Sequence, residues 1–213
     1  MVEFSTPAGK NENREVAAAR LASELAESRG LTLLHPFDDD AVIAGQGTVG
    51  WEVAAQAKRQ RASAIDLLLV CCGGGGLVAG CSIAIKHHFP ECVVLPVEPA
   101  GYDGAARSLA AGKVVAAPGL LHSSCDSLQA LAPGAKPFAV LTGTCSRGLT
   151  VDEAAVHAAM AVAFDMLKLV LEPGGAIALA AVLAGQVDVA GRTVAVVASG
   201  GNVAWEKFAQ MLE

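Results

Sequence analysis

Cys72-Gly73-Gly74-Gly75-Gly76-Leu77-Val78-Ala79-Gly80 is the stretch whose reading decides the fold. Before it, residues 65–71 form an apolar run broken only by Asp66, the pattern of a buried parallel strand. After it, residues 77–88 have helical spacing. Inside a strand or helix each of the four glycines would cost about 0.5–1 kcal/mol relative to alanine. Between a strand and a helix they have a use: consecutive backbone N–H groups can converge on an anion at the positive end of the helix dipole. A flexible turn is the plainer alternative, and the flanking strand and helix favour phosphate. No Lys-Ser or Lys-Thr follows the glycines and their spacing is not G-x-G-x-x-G, so neither a P-loop nor a dinucleotide fingerprint is present.

The rest of the chain fits an α/β fold with a parallel sheet flanked by helices. Apolar positions 17, 18, 21, 22, 25 and 26 predict an amphipathic helix over 11–29, closed by Gly30. A short strand is expected at 31–34, and the acidic run Asp38-Asp39-Asp40 reads as a solvated turn. Further helices are expected at 49–59, 77–88, 103–111, 151–171, 176–184 and 203–212, with strands at 65–72, 92–97 and 194–198. Residues 112–137, rich in glycine and proline, read as irregular. Ligands of such sheets sit off the carboxyl ends of the strands, so the glycine loop, the Glu98 turn and the Ser199 turn are expected to face one crevice.

Composition narrows the partners. The 213 residues are 53% hydrophobic and 17% charged, so a core of Ala, Val and Leu is expected. A net charge of −6 without a lysine or arginine cluster argues against nucleic acid and against an anionic membrane surface. Residues 67–85 are uncharged and long enough to suggest a membrane span, but four central glycines would cost such a helix about 1 kcal/mol each. The strand–loop–helix reading is preferred. Cysteines 71, 72, 81, 92, 125 and 145 form no C-x-x-C pair and are expected to be buried, reduced thiols of a cytoplasmic protein.

Several motifs then occur in a telling order. They are His35-Pro36-Phe37-Asp38-Asp39, Ile43-Ala44-Gly45-Gln46-Gly47-Thr48, Gly73-Gly74-Gly75-Gly76-Leu77, Val97-Glu98-Pro99, Arg107-Ser108-Leu109-Ala110-Ala111-Gly112, Leu169-Val170-Leu171-Glu172-Pro173 and Ser199-Gly200-Gly201-Asn202. Together, over residues 14–213, they resemble the C-terminal part of the serine/threonine dehydratase and serine racemase family, pyridoxal-phosphate enzymes of fold type II. The resemblance implies a remnant of the small domain and crossover helix at 1–30 and an incomplete cofactor-binding large domain at 31–213. It implies that the amides of Gly73, Gly74, Gly75, Gly76 and Leu77 hold the phosphate of pyridoxal 5′-phosphate. It places Ser199 at the pyridine nitrogen, although a buried serine satisfying a backbone group is the plain alternative. Glu172 would lie near the ring edge or else be a helix-end carboxylate in a turn.

Glu98 would belong to a divalent-cation site that some members carry, with a backbone carbonyl four residues on and an aspartate six residues on. Those positions are Tyr102 and Gly104 here, so any metal site is weak. The family's Schiff-base lysine segment and its substrate-carboxylate loop have no counterpart, and each of lysines 10, 58, 86, 113, 136, 168 and 207 reads as a surface lysine. The resemblance therefore implies a threonine/serine ammonia-lyase, giving a 2-oxo acid and ammonia, present as a truncated chain inactive by itself. In the complete protein it would act on a small hydroxy amino acid, as a homo-oligomer. The alternatives are a non-catalytic module binding a phosphorylated metabolite, a subunit of a split enzyme, and serine racemase-like activity in the complete protein.

Overall fold

The computed structural model describes residues 2–7, 13–60, 62–119 and 122–212. Residues 1–36 and 37–213 form two compact units. The first is built on α1 (Arg14–Arg29), whose Asn13 cap accepts a hydrogen bond from the Val16 amide at 2.9 Å. Gly30 closes the helix at φ 62°, its N–H donating to the Ala26 carbonyl. The start of this helix predicted at residues 11 and 12 lies outside the described residues. The strand predicted at 31–34 does not form: Leu31, Leu33 and Leu34 are exposed on irregular chain.

The second unit holds α2 (Asp40–Arg59), β1 (Leu67–Cys71), α3 (Gly76–His88), β2 (Val93–Pro99), α4 (Gly104–Ala111), α5 (Ala135–Thr144), β3 (Leu149–Val151), α6 (Glu153–Val162), α7 (Pro173–Leu183), β4 (Val194–Val196) and α8 (Trp205–Leu212). The strands form a parallel sheet in the order β3-β2-β1-β4. Alternation along β1 divides the core. Leu67, Leu69 and Cys71 pack with Leu95, Val97 and the faces of α6, α7 and α8, whereas Leu68, Val70 and Cys72 pack with Val94 against α3 and α5. All six cysteines are buried and carry no disulfide, as expected of small apolar side chains in a core. No helix of the described residues is long and apolar enough to cross a membrane.

Several elements differ from their sequence-based expectation. Helix α2 starts at Asp40 rather than residue 49, because Asp39 caps it: its Oδ1 accepts from the amides of Ala41 (2.8 Å) and Val42 (3.2 Å). The acidic run is thus structural, with Asp38 also accepting from the Lys136 amide at 2.8 Å. Helix α5 lies partly in the segment read as irregular. Its Pro137 sits in the first turn, where a missing N–H costs nothing. Strand β3 lies just before and at the start of the helix predicted from residue 151, and at three residues it is too short for periodicity to show. The helix predicted over 151–171 begins at Glu153, passes into a π-turn at Ala163–Leu167 and stops at Lys168, which adopts φ 59°.

Helices α2 and α3 approach closely through glycines. A Cβ on Gly80 would collide with the Ile43 carbonyl oxygen and lie 2.5 Å from the Gly47 nitrogen; one on Gly50 would lie 2.6 Å from the Cys81 carbonyl oxygen. Because the obstacles are backbone atoms, a methyl group there pushes the two helices apart. Gly80→Ala is therefore expected to destabilise the protein by about 2 kcal/mol or more, read as a lower urea midpoint. Gly143→Ala, in α5 with nothing within 4 Å of the new methyl group, is expected to raise the midpoint by the equivalent of about 0.5–1 kcal/mol. Equal responses at the two positions would refute the helix–helix constraint.

Candidate functional site

The chain leaves β1 at Cys71 and enters α3 at Gly76 through the glycine loop. Among the described residues, no backbone carbonyl accepts a hydrogen bond from the amides of Gly73, Gly74, Gly75, Gly76 or Leu77. Those of Gly75, Gly76 and Leu77 are donors that a helix N-terminus leaves unmatched, with no side-chain cap at Gly75, and those of Gly73 and Gly74 lie in the loop just before it. Gly75 stands at φ 93°, a conformation costly for any residue with a Cβ. Gly74 and Gly76 are glycine for another reason: a Cβ on Gly74 would enter the Phe37 ring, and one on Gly76 would lie 3.0 Å from the Phe37 Cβ. Phe37 covers the loop on that side, while the Gly134 N–H donates to the Gly74 carbonyl at 3.0 Å. The cradle is anchored from outside and keeps its amides for an anion.

Ser199 meets the end of β1. Because β4 pairs in parallel with β1, the chain beyond β4 emerges beside the chain beyond β1, and the Ser199 Oγ lies 3.2 Å from the Cys71 Sγ. The Ser199–Asn202 turn is held by Glu172, the residue before α7. The Glu172 N–H donates to the Gly200 carbonyl (2.9 Å), and its Oε2 accepts from the Asn202 amide (2.8 Å). Its Oε1 accepts from the Ser127 hydroxyl at 3.2 Å. Of the two roles open to Glu172, these bonds describe the turn carboxylate. Ser127 and Cys71 escaped sequence reasoning: Ser127 lies in the segment read as irregular, and Cys71 reads as one more core thiol. Ser127 also sits beside the loop, its carbonyl oxygen 3.5 Å from where a Gly73 Cβ would be. The glycine loop, Ser127, Glu172 and Ser199 thus line one crevice.

Glu98 belongs elsewhere. Val97 shares its face of the sheet with Cys71, so the next residue, Glu98, turns to the opposite face, and its carboxylate is buried. The Glu98 turn leaves the sheet at the same end as the glycine loop, but the two-residue period of a strand turns the Glu98 side chain to the face opposite Cys71. Both Glu98 oxygens accept backbone amides at the start of α4, from Ala105 at 2.7 Å and Ala106 at 2.8 Å. Gly104, where a cation site would want an aspartate, has no room for a Cβ against the Leu131 carbonyl. Burial pushes the Glu98 carboxyl up to about 8, against the two amides that favour its ionised form. No cluster of three metal-ligating side chains exists among the described residues. The lysine ammonium groups of four positions are held elsewhere: Lys58 on His88 Nδ1 (3.0 Å), Lys86 on the Pro90 carbonyl (3.0 Å), Lys136 on Asp40 (2.9 Å) and Lys168 on the Asp165 carbonyl (2.6 Å). A groove of about 400 Å³ between α2 and α3, lined by Ile43, Trp51, Ile83 and His87, is separate from the crevice.

A family model described as pyridoxal-phosphate dependent enzyme matches residues 2–200. The chain is 37% identical over 196 residues to an L-threonine ammonia-lyase of Geobacter sulfurreducens, covering 92% of this chain and 46% of that protein. It is 33% identical over 199 residues to a serine racemase of Arabidopsis thaliana, covering 88% of this chain and 57% of that protein. Among solved structures, maize serine racemase superposes with a TM-score of 0.81 at 32% identity, covering 93% of this chain and 60% of that one. A threonine deaminase from T.th. superposes with a TM-score of 0.80 at 40% identity, covering 87% of this chain and 66% of that one. The chain therefore spans about half the length of the two sequence relatives.

Two outcomes are expected from the carboxylates. The folded Glu98 binds its proton more tightly than the unfolded chain, whose carboxyl lies near 4.5, so stability falls as pH rises from there through about 8. One such group contributes at most about 1.4 kcal/mol per pH unit, and Glu98→Gln is expected to remove that slope from urea midpoints measured across this range. Glu172→Ala is expected to accelerate hydrogen exchange at the Asn202 amide by roughly tenfold while leaving β2 unchanged. Unaltered exchange at Asn202 would show that Glu172 does not hold the turn.

Proposed function

The chain belongs to the pyridoxal-phosphate-dependent enzyme family, and from that premise we propose that its crevice holds the phosphate and the ring nitrogen of the cofactor in a threonine/serine ammonia-lyase. The observation that carries the proposal is the row of unmatched amides at 73–77 beside a serine hydroxyl, both at the carboxyl ends of adjacent parallel strands. The residues present fit the group. The amides and the α3 dipole offer a dianionic phosphate its donors without a cationic side chain. Ser199, a neutral hydroxyl, donates to an unprotonated ring nitrogen and has no charge with which to hold a pyridinium proton. When bound, pyridoxal phosphate supplies the electron sink for charge that develops at the substrate α-carbon. Phe37 and the Pro133 and Pro137 rings beside Gly75 keep the back of the loop dry, which strengthens the amide–phosphate contacts.

The proposed net reaction takes L-threonine or L-serine to the 2-oxo acid and ammonia. The β-hydroxyl leaves, and water returns as the amino group is released, so the overall change is one of ammonia alone. Serine racemisation by the complete protein is the second reading, carried by the serine racemases among the relatives. The positions of four of the seven lysine ammonium groups favour a second feature of the proposal. The chain tested alone binds the cofactor without a covalent link, and a lysine from another polypeptide segment completes the site.

Absorbance titration of the purified chain with pyridoxal phosphate, followed by borohydride and dialysis, checks this. The expected result is saturable binding that dialysis reverses and borohydride does not fix. Gly75→Ala, strained at φ 93°, is expected to weaken binding of both pyridoxal phosphate and inorganic phosphate by roughly tenfold. Covalent fixation to the protein, or 2-oxobutyrate release from L-threonine by this chain alone, would overturn the missing-lysine feature. Failure to bind either ligand would overturn the site.

A further inference from the structure

Cys71 is the last residue of β1, and its side chain faces the same side of the sheet as Leu67 and Leu69. Where those leucines meet α7 and the core, the thiol meets Ser199, Sγ to Oγ 3.2 Å, across 128 residues of sequence. Cys71 is buried while Ser199 is exposed to the crevice, so the pair joins the dry floor of the site to its open face. A hydroxyl has one hydrogen and two lone pairs, so whichever group donates within this pair decides what Ser199 can offer a ligand.

We infer that Cys71 is a positioning residue: its S–H donates to the Ser199 Oγ and thereby turns the Ser199 hydrogen outward, as a donor aimed at an acceptor nitrogen. The inference rests on the cofactor reading above and deepens it, because it assigns the direction of the Ser199 hydrogen bond. Burial pushes the Cys71 thiol up and outweighs the hydrogen bond with Ser199, which acts the other way, so at neutral pH the group is S–H and not thiolate. Thiol sulfur is a poor acceptor. Once a ring nitrogen competes for the Ser199 hydrogen, the nitrogen takes it and the S–H completes the chain. Each bond in such a chain polarises the next, so the S–H strengthens Ser199 as a donor. The neighbouring Cys72 cannot substitute, because alternation sends it to the opposite face of the sheet.

The test uses the full chain and two readouts. The first needs no cofactor: the Raman S–H stretch of Cys71, assigned as the band lost in Cys71→Ala. A hydrogen-bonded S–H is expected in the parent protein, moving to the free-thiol position in Ser199→Ala. The second compares dissociation constants for pyridoxal phosphate and for inorganic phosphate. Cys71→Ala is expected to weaken pyridoxal phosphate about fivefold and leave inorganic phosphate unchanged, while Cys71→Ser, which keeps a donor, restores the parent value. An S–H band indifferent to Ser199→Ala overturns the inference. So does Cys71→Ala binding pyridoxal phosphate as tightly as the parent, or weakening both ligands together without rescue by Cys71→Ser. A parent protein that binds neither ligand defeats the cofactor reading instead, and the Raman band then decides the Cys71–Ser199 bond by itself.

Discussion

Parallel pairing of β1 with both β2 and β4 is the constraint on which the site depends. It sends the chain out of β1 and β4 at the same edge of the sheet, so segments far apart in sequence emerge side by side. The glycine loop then needs only to reverse direction into α3, and the Ser199 turn only to stay where β4 leaves it. The register sets the finer detail. With Leu69 opposite Val196, Cys71 ends its strand within reach of Ser199. A shift of one residue would turn Cys72 to that face in place of Cys71.

Around this frame, carboxylates serve as clamps on backbone amides. Glu98 gathers two amides at the start of α4, Glu172 holds the Asn202 amide, and Glu153 accepts both the amide and the hydroxyl of Ser124. Each joins a helix end or turn to another segment, and where the carboxylate is ionised its bonds are about twice as strong as neutral ones. The energetic cost differs with burial. Glu98 is buried away from water, and its raised pKa records the cost of charging it there. Glu172, half-buried at the crevice rim, stays close enough to solvent to hold the turn. A carboxylate can therefore look like a ligand in sequence and act as a structural clamp.

The packing of α2 on α3 shows how the glycines divide their work. Gly47, Gly50 and Gly80 let two helix backbones touch, Gly74 and Gly76 admit Phe37, and Gly75 supplies a left-handed turn. In a core built from alanine and valine, such close approach replaces the bulk that larger side chains would provide. The amides freed by the loop are then backed by packed apolar groups instead of water.

The sequence by itself determined the α/β class, the buried central strand, the glycine loop between strand and helix, and the ordered motifs that carry the family resemblance. These are local properties: periodicity, helix caps and backbone freedom are written in consecutive residues. It could not reveal that Asp39 starts α2 well before residue 49, because glycines 45 and 47 look like loop, and only the packing of α3 against Gly47 shows a helix there. Nor could it reveal β3, which exists only as a partner of β2. In the candidate site, the loop amides, Ser199 and Glu172 stand out in the sequence, while tertiary structure alone turned Glu98 to the other face and brought Cys71 and Ser127 beside them. Those contacts join residues up to 128 positions apart, and only the register of the folded sheet specifies which side chains meet.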